Sequence, residues 1–367
     1  MSAGSWQARP LTPSEAAIVF HPDQQTPWAP SVVVHLSEPL DAALAATRLA
    51  ALAALHPILD ASLVGDGWMA GSGRLRVEAD ADLDPVLHAR FDLAAGPPLR
   101  VALAADGLRL AVVGHHAALD GRALIAVASA LLGSPDALAS GAAAQAAPPM
   151  AAPPAPAPTG GAAELLRRVA QPADRVAPSF SPPTAESFAA APLPPGVSPR
   201  ASSLAAAAVT AVGPWNAARG GSPWGRIGLT IPVGGPAVLG NVSTHRRVDL
   251  GLPADVGAAV TAALAQAAEP PGTGLSPARA KLLRALAPVT DRLSDSLLIS
   301  NLGRVELPGA AAVDFYPQAR GRSAVAIGAC TPVGGTARIT VRARDLVPAD
   351  AEALLDRVVR QLALRAA

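Results

Sequence analysis

From residue 137 to 162 the chain carries no charged side chain and little besides alanine, proline and glycine. So few large apolar groups cannot offset the entropy of ordering, and the prolines favour extended, polyproline-like backbone. A second proline-rich stretch runs from Pro172 to Pro199, with a short helix expected at Ala163–Ala170 between the two. Everything else has to fold on either side of this break. The expectation is an N-terminal lobe over 1–136, an inter-lobe linker over 137–199 and a C-terminal lobe over 200–367. A chain of 367 residues, half of them hydrophobic, can fill two cores of ordinary size.

Both halves mix strand and helix patterns. Ser31–Leu36 reads as a buried strand. It is followed by leucines near helical spacing, with Ser37 as the expected cap and a stop at His56-Pro57. Arg74–Ala79 alternates as a strand does. Leu99–Ala104 and Leu108–Val113 are β-like runs joined at Asp106-Gly107, a pair that favours a tight hairpin turn. Asp120-Gly121 opens a helical pattern through Leu132, which Gly133 stops. Beyond the linker, a helix over Ser198–Ala218 should be interrupted at Gly213-Pro214. Strands at Arg226–Val233 and Ser243–Leu250 precede helices at Pro253–Ala268 and Ser276–Leu293. Strands are then expected at Ser296–Asn301, Ala311–Tyr316, Ser323–Ala329 and Thr336–Ala343. An amphipathic helix starting at Pro348 closes the pattern. This alternation predicts an α/β fold of two similar-sized lobes, each a mixed sheet with helices.

Composition excludes several functions. Net charge is +1 with no basic stripe, which argues against nucleic acid as a partner. Cys330 is the only cysteine, so neither an internal disulfide nor a thiol cluster for zinc can form. His21, His35, His56, His88 and His245 lack metal-ligand spacing, and no metal is expected. Residues 1–20 lack the apolar core of a signal peptide, and no uninterrupted apolar run reaches membrane-spanning length. A soluble cytoplasmic protein is the expectation. The chain has neither G-x-S-x-G nor a phosphate-loop lysine motif, so Gly234-Gly235 and Gly334-Gly335 read as turns. Trp215, Trp224 and Cys330 read as packing residues.

The informative string is His115-His116-Ala117-Ala118-Leu119-Asp120-Gly121. Two histidines emerge where an apolar strand meets a loop. Histidine titrates near neutrality, so one held at a sheet end can take a proton from an amine or hydroxyl. A carboxylate four residues on can orient the ring or hold the loop, and a glycine beside it permits a tight turn or a close approach.

Around this string lie Pro10-Leu11-Thr12-Pro13-Ser14-Glu15, then Ala54-Leu55-His56-Pro57, then Phe91-Asp92-Leu93 running to Pro98-Leu99-Arg100. In order and spacing these resemble the N-terminal lobe of the condensation-domain superfamily, the HHxxxDG acyltransferases. That superfamily takes in condensation domains of nonribosomal peptide synthetases, polyketide-associated acyltransferases and wax ester/diacylglycerol acyltransferases. It is related in fold to chloramphenicol acetyltransferase. Ile231-Pro232-Val233, Leu239-Gly240-Asn241 and Ser300-Asn301-Leu302-Gly303 extend the resemblance, more loosely, into the C-terminal half.

The resemblance implies two chloramphenicol-acetyltransferase-like lobes with the active site at their junction. It implies an acyl thioester donor on coenzyme A or on the phosphopantetheine of an acyl carrier protein, and a small amine or alcohol acceptor, with no metal or redox cofactor. His116 matches the family's general base, His115 a buttress and Asp120 a structural residue. Gly121 matches a position beside the donor, and Ser300 and Asn301 are the candidates for substrate binding and oxyanion contact. The chain departs from the pattern in two places. It has no Asp-Phe-Gly-Trp-Gly motif. Gly234-Gly235 also stands where many members carry an arginine able to pair with the motif aspartate, a place that Arg246 or Arg247 could take. The resulting expectation is a free-standing biosynthetic acyltransferase. The alternatives are cyclisation or dehydration of a tethered intermediate on the same scaffold, or a non-catalytic module that docks a carrier protein.

Overall fold

The computed structural model describes residues 7–21, 23, 26–134, 161–221, 224–233, 239–266, 292–320 and 324–366, with only the backbone at 161–165. Residues 276–291 of the expected helix, the Gly234-Gly235 pair and most of the alanine-proline segment lie outside them, while residues 292 and 293 form a turn.

In chain order the first half contains β1 (Ala8–Pro10), α1 (Pro13–Val19), β2 (Ser31–Leu36), α2 (Ala42–Leu55), β3 (Ser62–Val64), β4 (Gly67–Met69) and β5 (Val77–Glu78). Then come α3 (Leu83–Leu87), β6 (Leu99–Leu103), β7 (Arg109–Gly114) and α4 (Gly121–Leu131). The second half contains α5 (Gly161–Ala170), β8 (Ser187–Pro192), α6 (Ala201–Ala218), β9 (Arg226–Val233), β10 (Thr244–Gly251) and α7 (Val256–Leu264). It ends with β11 (Leu297–Val305), β12 (Ala310–Tyr316), β13 (Val325–Pro332), β14 (Arg338–Ala343) and α8 (Pro348–Ala366).

A mixed five-stranded sheet in the order β12-β2-β7-β6-β5 forms the first lobe, with β1-β4-β3 as a small satellite. Its inner strands are buried on both faces, which is why SVVVHL reads as a continuous apolar run rather than an alternation. Val32 and Val34 pack with Leu49, Leu52 and Leu124 from α2 and α4, while Val33 packs with Leu83 and Val86 of α3. The hairpin forms as its sequence requires: β6 pairs antiparallel with β7, and Gly107 turns at φ 68°. The second lobe is a mixed six-stranded sheet, β10-β9-β11-β13-β14-β8, whose core with α6, α7 and α8 is a separate cluster. The two-lobed α/β architecture is therefore as expected.

Four details differ from the sequence expectation. Helix α2 is capped by Asp41, whose side chain accepts from the Leu44 N–H at 2.7 Å; Ser37 instead bonds to Gly309 O. Helix α6 runs unbroken through Pro214. The indole N–H of Trp224 donates to Val209 O on the same helix at 3.0 Å. Residues 187–192, assigned to the linker, form edge strand β8 against β14, with Ala189 and Leu193 in the second core. Finally, β12 belongs to the first lobe's sheet although β11 before it and β13 after it belong to the second.

That crossing ties the lobes together. The ring nitrogen Nε2 of His35 lies 2.7 Å from Asp314 Oδ2, and Arg338 Nε donates to the other oxygen at 2.5 Å. On β14, fully buried Arg342 donates to Ala29 O at 2.6 Å and to Glu186 at 2.5 Å. Gly328 is required where β13 meets β12, because a Cβ there would sit 2.0 Å from Phe315 O.

Candidate active site

Strand β7 ends at Gly114, where a side chain would collide with Leu124 and Leu119, so the loop can fold straight back onto its own helix. The His115 N–H donates to Pro98 O at 2.7 Å, and His115 O accepts from Ala118 and Leu119, closing a tight turn. The His115 ring is buried, edge-on to Phe91, and its Nδ1 accepts from the Ala117 N–H at 3.2 Å. Burial, with His116 adding to it, pushes its pKa down to about 3, so the ring is neutral. A neutral, sequestered ring suits a buttress and cannot exchange protons with a substrate.

His116 is held at both backbone ends. Its N–H donates to Trp28 O at 2.6 Å, and its carbonyl accepts from Asn241 Nδ2 at 2.7 Å. Its Nδ1 lies 3.2 Å from Leu119 O. A carbonyl only accepts, so Nδ1 carries the proton and Nε2 keeps its lone pair. Burial first, and then Arg320 and His245, lower the pKa of His116 against the opposing pull of the Leu119 carbonyl and Asp120. The imidazole is therefore the neutral, proton-accepting form at pH 7.

Asp120 is the N-cap of α4: Oδ1 accepts from the Arg122 and Ala123 N–H groups at 3.0 Å each. Its Oδ2 accepts from the Val242 N–H at 3.2 Å, and its own N–H donates to Gly240 O. Residues 239–243 of the second half are thus bolted to the histidine loop by backbone bonds at Asp120 and by Asn241 at His116. Arg247, one of the two arginines that could have paired with the motif aspartate, is held by Asp249 at 3.0 Å and Asp295 at 2.7 Å. Gly121 is fixed by a close approach, since a Cβ there would lie 2.8 Å from the Phe315 ring on β12.

These pieces enclose a cavity of about 110 Å³ at the lobe junction. His116, Asp120 and Gly121 line it from one side, and Ser300 and Asn301 of β11 from the other. His115 lies behind it. The Asn301 amide is already engaged, with Oδ1 accepting from the Gly303 N–H at 2.8 Å and Nδ2 donating to Pro199 O. Ser300, buried on β11, is the hydroxyl-bearing member of that pair.

Sequence reasoning missed Arg122, His245, Gln318 and Arg320, which also line the cavity. Arg122 follows the motif directly. The other three were set aside or unremarked because only the β9–β10 hairpin and the chain after β12 bring them there. Trp215, buried on α6, and half-buried Trp224, both read as packing, donate their indole N–H groups to Ala177 O and Val209 O.

No protein-family model matches the chain, and no curated protein sequence matches it. Its fold is that of solved condensation domains. The first condensation domain of the calcium-dependent antibiotic synthetase aligns with a TM-score of 0.63 at 15% identity, over 100% of this chain and 97% of that one. The starter condensation domain of rhizomide synthetase, a mutant in complex with C8-CoA and Leu-SNAC, gives 0.59 at 13% identity, over 98% and 94%. Polyketide synthase associated protein 5 from Mycobacterium tuberculosis gives 0.55 at 16% identity, over 98% of each chain. At such identities the likeness is one of fold, and it covers both lobes, where the sequence motifs were dense only in the first. Among the described residues no helix is long and apolar enough to cross a membrane.

Proposed function

We propose that this chain is a condensation-type acyltransferase, moving an acyl group from a thioester donor to an amine or hydroxyl acceptor. The observation that carries the reading is His116: a neutral imidazole, Nδ1–H bonded to Leu119 O, lining a cavity between the lobes. Nε2 takes the acceptor proton as the acceptor nitrogen or oxygen attacks the thioester carbonyl. The tetrahedral intermediate collapses by breaking its C–S bond, and the proton held on Nε2 leaves with the thiolate. Ser300 and the backbone at Gly121 are the groups proposed to face the developing oxyanion. Asp120 acts by holding the histidine loop and residues 239–243 together, and His115 by filling the space behind. The donor, coenzyme A or a separate carrier protein's phosphopantetheine, is a substrate, and the reaction calls on no metal or redox group. The proposal includes a free-standing enzyme.

The test is release of free thiol from acyl-CoA and acyl-pantetheine carriers mixed with amines and alcohols, with products read by mass. Wild type should yield an ester or amide, and His116→Ala should lose about 10²–10⁴ in turnover. A thioester consumed without an intermolecular product would instead indicate cyclisation or dehydration on the same scaffold. Carrier binding unaccompanied by consumption of any thioester would make it a docking module.

A further inference from the structure

The cavity beside His116 carries more positive charge than its own carboxylates answer. Arg122 and Arg320 both line it and both are half-buried. Among the described residues, no carboxylate stands within ion-pair distance of Arg122. Arg320 has Asp295 at 3.9 Å, but that carboxylate already holds Arg247 at 2.7 Å and the Thr230 hydroxyl. Asp120, the one acidic residue on the cavity wall, spends its oxygens on three backbone N–H groups. A third polar group waits unanswered: Gln318 is 4% exposed, lines the cavity, and its Oε1 has no hydrogen-bond partner. A half-buried guanidinium with no counter-ion, as at Arg122, or with a shared and distant one, as at Arg320, is costly, and such groups bind carboxylates in a fork geometry.

We infer that the acceptor carries a free carboxylate, received by Arg122 and Arg320 beside the base, so that amino or hydroxy acids are its substrate class. This rests on the acyl-transfer reading of the same site. The space beside His116 is lined by both arginines and by Gln318, so a small acid can reach the base and the cations together. The arginines hold the carboxylate while the amine or hydroxyl of the same molecule is presented to Nε2, and the unpartnered Gln318 Oε1 is placed to accept from that N–H or O–H. The field of Arg320 also reaches the base, since it is among the groups that lower the pKa of His116.

The test uses alkylation of His116, which does not depend on turnover. Bromoacetate and bromoacetamide both place a CH₂ carbon on Nε2 with loss of bromide, and only the first carries a carboxylate. Modification is read at the His116 peptide by mass, with rates referred to those of free imidazole. Bromoacetate should be favoured by about tenfold or more, the lower range for a cleft lined by one sign of charge. The combined Arg122→Gln and Arg320→Gln variant should bring the preference back to that of imidazole, and Arg320→Lys should restore part of it to that variant. Equal rates in wild type, no labelling by either reagent, or a preference untouched by the double variant would overturn the inference. Protection separates the sources of the anion. Lactate should shield His116 and methyl lactate should not, whereas stronger shielding by pantetheine phosphate would assign the arginines to the donor and overturn it. Thiol release measured on the same samples reports the acyl-transfer reading separately.

Discussion

Replacing Asp120 by asparagine removes one of its two jobs and spares the other. The asparagine Oδ1 can still take the Arg122 and Ala123 N–H groups that now lie at 3.0 Å, so α4 keeps its cap. Its Nδ2 faces the Val242 N–H, donor against donor, and the bond at 3.2 Å is lost. Val242 is 43% exposed, so water can take over its amide, and the loss sits at the low end for an abandoned donor, about 1 kcal/mol. Losing a negative charge at a helix N-terminus adds about 0.5 kcal/mol, for a total of about 1.5 kcal/mol. Alanine at the same position also loses the cap, a further cost of about 1 kcal/mol. Urea denaturation of wild type, Asp120→Asn and Asp120→Ala should therefore give a ladder, with the two variants separated by the cap alone. Turnover should fall in both variants, because the loosened segment also carries Asn241, which holds the His116 carbonyl at 2.7 Å. An asparagine variant as stable and as active as wild type would refute the bridging role. Equal destabilisation by asparagine and alanine would refute the capping argument.

The pH profile of kcat/KM should stay flat below the ordinary imidazole value of 6.5, because burial and Arg320 depress the pKa of His116. Arg320→Gln, by removing a positive charge, should move the acid limb to higher pH, and a limb unmoved would separate Arg320 from the base. Stability should fall with acidity as well. His115 is about 3 folded and 6.5 unfolded, so its contribution is complete above 6.5 and is lost on acidification toward 3, at up to roughly 1.4 kcal/mol per pH unit. Arg342→Met, read by chemical denaturation, should cost about 3–5 kcal/mol, since it strands Glu186 and frees Ala29 O at the lobe junction. Gly121→Ala should lower turnover and melting temperature together, its Cβ meeting Phe315 at 2.8 Å; an unchanged variant would show that β12 yields there.

Much of this molecule was legible in its sequence because the signals were local. The β6–β7 hairpin follows from Asp106-Gly107 between two apolar runs, and α4 from Asp120 ahead of an apolar face. The position of His116 follows from the strand that ends before it. What escaped was set by partners distant in the chain. Val33 cannot announce that its partner on β12 will be Asp314, 281 positions further along the chain. The sequence of β8, Ser187–Pro192, carries alanine and proline like the linker around it, and only pairing with β14 makes it a strand. Pro214 sits inside a helix whose other residues are mostly buried against the second core, and that packing is invisible locally. The site shows the same division. The proposed base and buttress, His116 and His115, came from one contiguous motif, whereas His245, Gln318 and Arg320 reach the cavity through sheet topology alone.

Strand β12 also dictates an order of assembly. On the first sheet, β2 offers one side to β7 and the other to residues that the ribosome adds only after position 309. Until then the first lobe exists with an open apolar edge, the kind of surface that pairs with the wrong chain. The histidine loop is synthesised early, yet its cavity cannot close until Phe315 reaches Gly121 and residues 239–243 bond to Asp120. A chain severed between residues 134 and 161 should thus yield two pieces that become a working site only in each other's presence.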